Sequence, residues 1–534
     1  MNKIDDVIVV GAGLGGLVLG AMLAKRGRKV TVVEQHYMPG GCATTFRRKS
    51  FRFEVSLHAL DGMDQFDPKM YIFRDLGILD KLPFVHIPRT EFYRFKHPEL
   101  DITIPGTVDG AIQVLSNRFP HERKRIREFF RTVTTIRRDL NKLFMMGKWE
   151  RFGLMAATPF LYPKLIQYWN TTIGDYLDSM FKDEMLKLAL VANILYFHDD
   201  PRKLSLFWYA LSQGSFISGG VHFIKGGSQV LSDYLARYIR EHGGEVLIGQ
   251  TVEEILVEGG QAVGVRYRKT LGDPRPVATR RAQIVVVNAA LPMAVKELIK
   301  APEIARYREK VSSMKKSCSF LSLFLGFNGS PKALGNEAYS TIIPGDDVSR
   351  IDDMVGEYRS SDWTKKGFEF VDYSQIDHGL APAGKSVAVV SLVDYLQNWD
   401  NLPEEQYKAQ KEEVAHTLID KLNDLVPGVR DAIERYEVAT PKTIVRYTKN
   451  PEGCIYGFQQ NVNQTAPFRL SHSSPIKNLY FASAWVMPGG GYTGAMLSGL
   501  NCAREIEQVL SNRRSRNLQW QVVPHESALN DAPR

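Results

Sequence analysis

One stretch near the N-terminus constrains the fold more than any other. Asp6-Val7-Ile8-Val9-Val10 runs directly into Gly11-Ala12-Gly13-Leu14-Gly15-Gly16. A helical stretch, Leu17 to Lys25, follows and closes on Arg26-Gly27; a second apolar run, Val30-Thr31-Val32-Val33, ends in Glu34. The pattern predicts a strand, a tight turn, a helix and a parallel strand. Gly11 permits the sharp turn, Gly13 lets backbone approach a pyrophosphate, and Gly16 lets helix and strand pack closely. The start of the helix aims unpaired N–H groups and a positive dipole end at the phosphates. A carboxylate at Glu34 suits the diol of a ribose and would repel a 2′-phosphate.

At 534 residues the chain predicts two or more domains. Its 44% apolar and 24% charged residues exclude a mainly disordered chain. Cys42, Cys318, Cys454 and Cys502 lie far apart, which argues against a zinc site or a disulfide framework and for free thiols. No metal-ligand cluster stands out among the twelve histidines, so no metal is expected. With no basic-then-apolar leader before the first strand, the expected location is the cytoplasm or the cytoplasmic face of a membrane.

The net charge of +9 is unevenly spread. From His121 to Arg151 there are ten Lys or Arg against four Asp or Glu, interleaved with Phe129, Phe130, Ile136, Leu140, Phe144 and Trp149. A mostly uncharged run, Phe152 to Pro163, follows. Two readings stand side by side: peripheral contact with anionic lipid through 121–163, or a solvated helix with a core-facing stripe. No nucleic-acid recognition motif accompanies the charge, so nucleic acid is not expected as a partner. Leu204 to Ile224 lacks charge but is broken by Ser, Gln and Gly after Leu211, which predicts a buried helix and then a glycine-rich loop.

Past Glu34 the chain reads Gln35-His36-Tyr37-Met38-Pro39-Gly40-Gly41-Cys42-Ala43-Thr44, then Phe51-Arg52-Phe53-Glu54-Val55-Ser56-Leu57-His58. Near its end stands Tyr480-Phe481-Ala482-Ser483-Ala484-Trp485, followed by Pro488-Gly489-Gly490-Gly491-Tyr492-Thr493-Gly494-Ala495-Met496. These blocks resemble the phytoene desaturase, carotenoid isomerase and all-trans-retinol saturase family of the flavin amine oxidase superfamily. Glu54, Ser56 and Ser483-Ala484 depart from the family's usual Asp, Gly and Gly-Asp. The resemblance implies FAD rather than NAD. It implies an α/β fold: a Rossmann-like FAD-binding domain of glutathione-reductase type, amine-oxidase-like, with a discontinuous α+β substrate domain. The FAD domain is expected from 1–65, 222–300 and 471–510, the substrate domain from 66–221 and 301–470, and a loose tail from 511–534. Together with Gly11, Gly13, Gly16 and Glu34, the resemblance assigns Gln35, Gly40, Gly41, Thr44, Val252, Asn288, Ala484, Gly494 and Met496 to the cofactor. The helix N-terminus near Gly494 to Met496 is expected at the reduced ring.

The aromatic segment 66–220 reads as mainly helical, and Phe207, Trp208, Tyr209, Phe216 and Phe223 could line a tunnel or simply pack a core. The resemblance implies chemistry on the C=C bonds of a hydrophobic carotenoid- or retinoid-like polyene: saturation, desaturation or isomerisation. A flavin amine oxidase and a non-catalytic FAD-binding membrane protein are the alternatives. No catalytic residue is assigned; Glu54 and His58, read as four apart on one strand face, are weak candidates. No second strand–glycine–helix unit is present for a nicotinamide, which leaves the electron donor or acceptor open.

Overall fold

The N-terminal apolar run forms β1 (Asp5–Val10), the turn leads into α1 (Leu14–Ala24), and the second run forms β2 (Val30–Val33). The computed structural model describes residues 4–146, 158–273 and 275–521, with side chains as far as 512. β1 is covered on both faces, which is why its residues are continuous Val and Ile rather than alternating. Strands lie in the order Glu245–Leu247, β2, β1, Ala278–Val287, Leu479–Phe481, each parallel to its neighbour. The first half of Ala278–Val287 instead pairs antiparallel with Gln261–Lys269, which pairs with Gln250–Glu258. The strand order reverses between β1 and Ala278–Val287, so a crevice opens at their C-terminal ends.

α1 is buried along its whole length, so it is apolar on every side. It packs against helix Ser228–Glu241 and against α2 (Gly491–Gln521), whose Gly499 lies so close that a Cβ there would stand 2.2 Å from the Gly15 oxygen.

A second sheet runs Ile433–Ala439, Ser319–Phe327, Ser386–Asp394, Phe368–Asp372, Ser340–Ile343, Tyr93–His97, Leu100–Ile104. The strand Ser319–Phe327 alternates in use. Leu321, Leu323, Leu325 and Phe327 pack on Val414, Leu418 and Leu422 of helix Glu404–Leu425, while Phe320, Ser322 and Phe324 face a large cavity.

The segment 66–220 is mainly helical, as its spacing predicts, and carries in addition a hairpin, Tyr93–His97 with Leu100–Ile104, that joins the second sheet through Ser340–Ile343. Three expectations are corrected. The helix expected to break after Leu211 runs from Leu206 to Gly219, and Val221–Ile224 is a strand. Its polar residues find buried partners: Gln213 accepts from Asn193 at 2.7 Å, and Gly214 makes room for Arg137 and Val133 of helix Arg123–Met145. The C-terminal helix starts at Gly491, earlier than expected, and continues through Gln521, so the first part of the tail is helical. Residues 147–157, which carry much of the uncharged run, and 522–534 lie outside the described residues.

Candidate functional site

The turn after β1 is built as its glycines require. Gly11 takes φ +99°, and a Cβ on Gly16 would lie 2.4 Å from the Gly11 oxygen. Gly13 is the N-cap of α1 and supplies no side-chain cap, so the first-turn N–H groups stay open toward the crevice. Glu34 lies directly after β2. Its carboxylate accepts from the Ala12 N–H at 2.7 Å and the His36 N–H at 2.8 Å. Burial raises its pKa, and backbone donors at Ala12, His36 and Gln35 pull it back. Acceptor capacity beyond these donors fits a ribose diol. Asn288 closes the turn from Ala278–Val287, donating Nδ2–H to the Gly11 oxygen at 3.0 Å.

A cavity of about 1170 Å³ begins at this turn. All the predicted cofactor residues line it except Gly16 and Met496. Gly16 serves the packing of helix on turn, and Met496 is fully buried in the second turn of α2. Gln35, Gly40, Gly41 and Thr44 line it, with Val252; the Gln250 N–H donates to the Glu34 backbone oxygen at 2.8 Å. Ala484 and Gly494 contribute from the C-terminal block. Behind them the buried Arg469 donates to the oxygens of Phe458 and Ala484, each at 2.8 Å. An open helix start, a close-approach glycine turn and an acidic acceptor fit the phosphates and ribose of a dinucleotide. Cys42 also lines the cavity, and burial pushes its thiol up to about 11, so it stays protonated.

Glu54 and His58 do not share a strand face. The strand ends at Glu54 because the side chain turns the chain, accepting from the N–H groups of Ser56 at 3.1 Å and Leu57 at 2.8 Å. Ser228 adds N–H and Oγ–H bonds, both 2.7 Å. Glu54 is an anchor between segments and does not line the cavity. His58 does line it. Its Nδ1 pairs with the Tyr373 hydroxyl at 2.9 Å, its carbonyl accepts from Tyr339 at 2.6 Å, and burial pulls its pKa to about 4. It is therefore a neutral imidazole near pH 7.

Several cavity residues escaped the sequence reading. Tyr196 donates to Glu369 at 2.5 Å, and burial holds the Glu369 carboxyl at about 7. Ser56 donates to the Cys42 oxygen at 2.7 Å and meets the Tyr492 hydroxyl at 3.0 Å. Thr493 donates to Asp61 at 2.8 Å. Gln460 reaches the wall beside Gly489 and Trp208. No spacing in the chain relates these residues; only the packing of both sheets brings them together. The rest of this arm is apolar, with Trp208, Leu211, Phe216, Phe197 and Phe320.

A family model described as flavin containing amine oxidoreductase matches residues 14–507. Prolycopene isomerase 1 of an Oncidium hybrid cultivar is 27% identical, over 94% of this chain and 83% of its own. All-trans-retinol 13,14-reductase of Danio rerio is 25% identical, over 94% and 85%. A neurosporene-forming phytoene desaturase of Rhodobacter capsulatus is 26% identical, over 92% of each chain. Among solved structures, cyclohexylamine oxidase from Brevibacterium oxydans superposes with a TM-score of 0.62 at 14% identity, covering 95% of this chain and 100% of its own, a likeness of fold.

Proposed function

This chain belongs to the flavin-containing amine oxidoreductase family, and we propose that it acts on the C=C bonds of a hydrophobic isoprenoid polyene. Its cofactor is FAD. The family supplies the flavin, and the turn between β1 and α1 suits the dinucleotide form. Bound there, FAD supplies hydride chemistry at its ring. In this reading Gly13 and the start of α1 hold the pyrophosphate, and Glu34 holds the ribose. Gly40, Gly41 and Thr44 run along the cofactor toward the ring, with Ala484, Gly494 and the start of α2 opposite.

The observation that carries the substrate is the apolar arm beyond the cofactor residues, walled by Trp208, Leu211, Phe216 and Phe320. The cavity is larger than the roughly 300–1,000 Å³ of ordinary small-molecule sites, with room for a dinucleotide and a long apolar partner. The acids beside this arm, Asp61 and Asp67, share Lys69 as their ion-pair partner. The relatives named for lycopene, retinol and phytoene support the same class.

The test uses purified holoprotein under anaerobic conditions. Bleaching of oxidised flavin by a polyene marks desaturation, and reoxidation of reduced flavin marks saturation. A new polyene isomer without net flavin change marks isomerisation. Bleaching by amines alone would replace this reading with an amine oxidase. A flavin untouched by either class would leave a binding protein.

We infer further that the chain docks on anionic membrane surfaces. Phe160 is 87% exposed, and Leu161, Ile166 and Trp169 are exposed with it. Lys164, among them, donates to Thr132 at 2.8 Å, which sets this apolar group against helix Arg123–Met145. That helix exposes Arg123, Lys124, Arg127 and Arg131. Exposed aromatic groups beside cations suit the headgroup region of a bilayer. Arg137 is not part of this surface: it is buried and paired with Asp64 at 2.7 Å. Among the described residues, no helix is long and apolar enough to cross a membrane.

A further inference from the structure

The Gln460 side chain is 1% exposed, yet neither its Nε2 nor its Oε1 has a hydrogen-bond partner. Of the buried side-chain polar atoms without partners among the described residues, only these two belong to a residue lining the cavity. Three polar side chains around the arm are engaged within the protein: His58 with Tyr373, Tyr196 with Glu369, Thr493 with Asp61. The amide is held in place. The Gln460 backbone oxygen accepts from Ser205 at 2.9 Å. Its Nε2 lies over Gly489, where a Cβ would stand 1.9 Å away, so only glycine leaves the space it fills. The Trp208 ring edge borders the same point.

A buried amide with both ends unpartnered costs free energy unless a ligand completes it. Nε2 donates and Oε1 accepts. A hydroxyl answers both at once, accepting from Nε2 and donating to Oε1. A carbonyl answers one, and a hydrocarbon neither. We propose that Gln460 is a specificity-determining residue that reads a hydroxyl on the polyene, selecting isoprenoid alcohols over hydrocarbon carotenes. This rests on the polyene reading of the cavity. A hydrocarbon placed against Gln460 leaves a donor and an acceptor stranded in an apolar wall.

The test compares binding of all-trans-retinol with binding of the hydrocarbon in which its hydroxyl is replaced by hydrogen. Holoprotein is titrated and followed by polyene absorbance. The wild type should bind the alcohol about tenfold or more tightly. In Gln460→Leu the two affinities should converge to within about twofold, by loss for the alcohol and gain for the hydrocarbon. The ligand-free variant should melt no lower than wild type, since an unpaired amide has been exchanged for an apolar group of similar size. Gln460→Met serves the same comparison if the Leu variant does not fold. Discrimination that survives both substitutions overturns the proposal. So does a variant that releases flavin or shifts its visible spectrum with discrimination intact, which would assign the amide to the ring. Equal binding of both polyenes by the wild type overturns this proposal alone; binding of neither overturns the polyene reading with it.

Discussion

Asn288 donates its Nδ2–H to the Gly11 oxygen at 3.0 Å, across 277 residues of sequence. The same side chain stands where a Cβ on Gly13, Gly15 or Gly16 would intrude, at 2.7 to 3.0 Å. Asn288 is thus the mould against which the glycine turn is cast. Asn288→Ala should leave the Gly11 oxygen without this donor and loosen the turn, weakening FAD retention by about tenfold. Flavin content after gel filtration, set against far-UV circular dichroism, checks it.

Gly13→Val places a branched side chain against Asn288 at the start of α1. The folded variant should be colourless. Retained yellow colour in folded Gly13→Val protein would argue that the pyrophosphate lies elsewhere.

Glu34→Ala strands two backbone donors, Ala12 and His36. It should cost about 1–3 kcal/mol of stability as well as cofactor affinity. Denaturant unfolding of the apoprotein separates the first loss from the second.

Burial lowers the His58 pKa from 6.5 to about 4. The unfolded chain therefore binds more protons than the fold between these values. Stability due to the neutral imidazole is complete above pH 6.5 and is lost as pH falls through 4. The shift corresponds to roughly 3 kcal/mol. His58→Asn, which can still meet the Tyr373 hydroxyl, should lose about that much less on acidification. Parallel pH-dependent melts of both proteins give the difference, and identical slopes would refute it.

The docking surface predicts binding to anionic liposomes that weakens with salt. Replacing Arg123, Lys124, Arg127 and Arg131 with Glu should release the protein, and Phe160→Ser with Trp169→Ser should weaken what high salt leaves. Co-sedimentation is the measurement. Wild type that never pellets with such vesicles would end the idea.

The glycine turn, Glu34 and the paired Val runs were legible because each follows from local geometry: φ above zero, an uncapped helix start, and strands covered on both faces. The hairpin Tyr93–Ile104 was hidden among helical neighbours, although Leu100, Ile102 and Ile104 alternate. Glu54 misled because a carboxylate beside a presumed cofactor reads as chemistry. Here it satisfies backbone donors and ends a strand. The continuation of helix Leu206–Gly219 depended on Asn193 and Arg137, partners that local sequence does not announce. Tyr196 meets Glu369, and Gln460 reaches the cavity wall, only through tertiary packing.

The strand Leu479–Phe481 adds to a sheet begun at Asp5, and α2 behind it crosses α1 at Gly15 and Gly499. During synthesis the amino-terminal half of the crevice is made early, but its other wall emerges only once Leu479–Phe481 and Gly491–Gln521 have been made. At about 5–20 residues per second this delay lasts tens of seconds or more, during which the buried faces of β1 and α1 await their last cover. Premature termination after residue 470 would therefore leave an unfinished sheet edge open to chaperones and self-association, not a shorter flavoprotein.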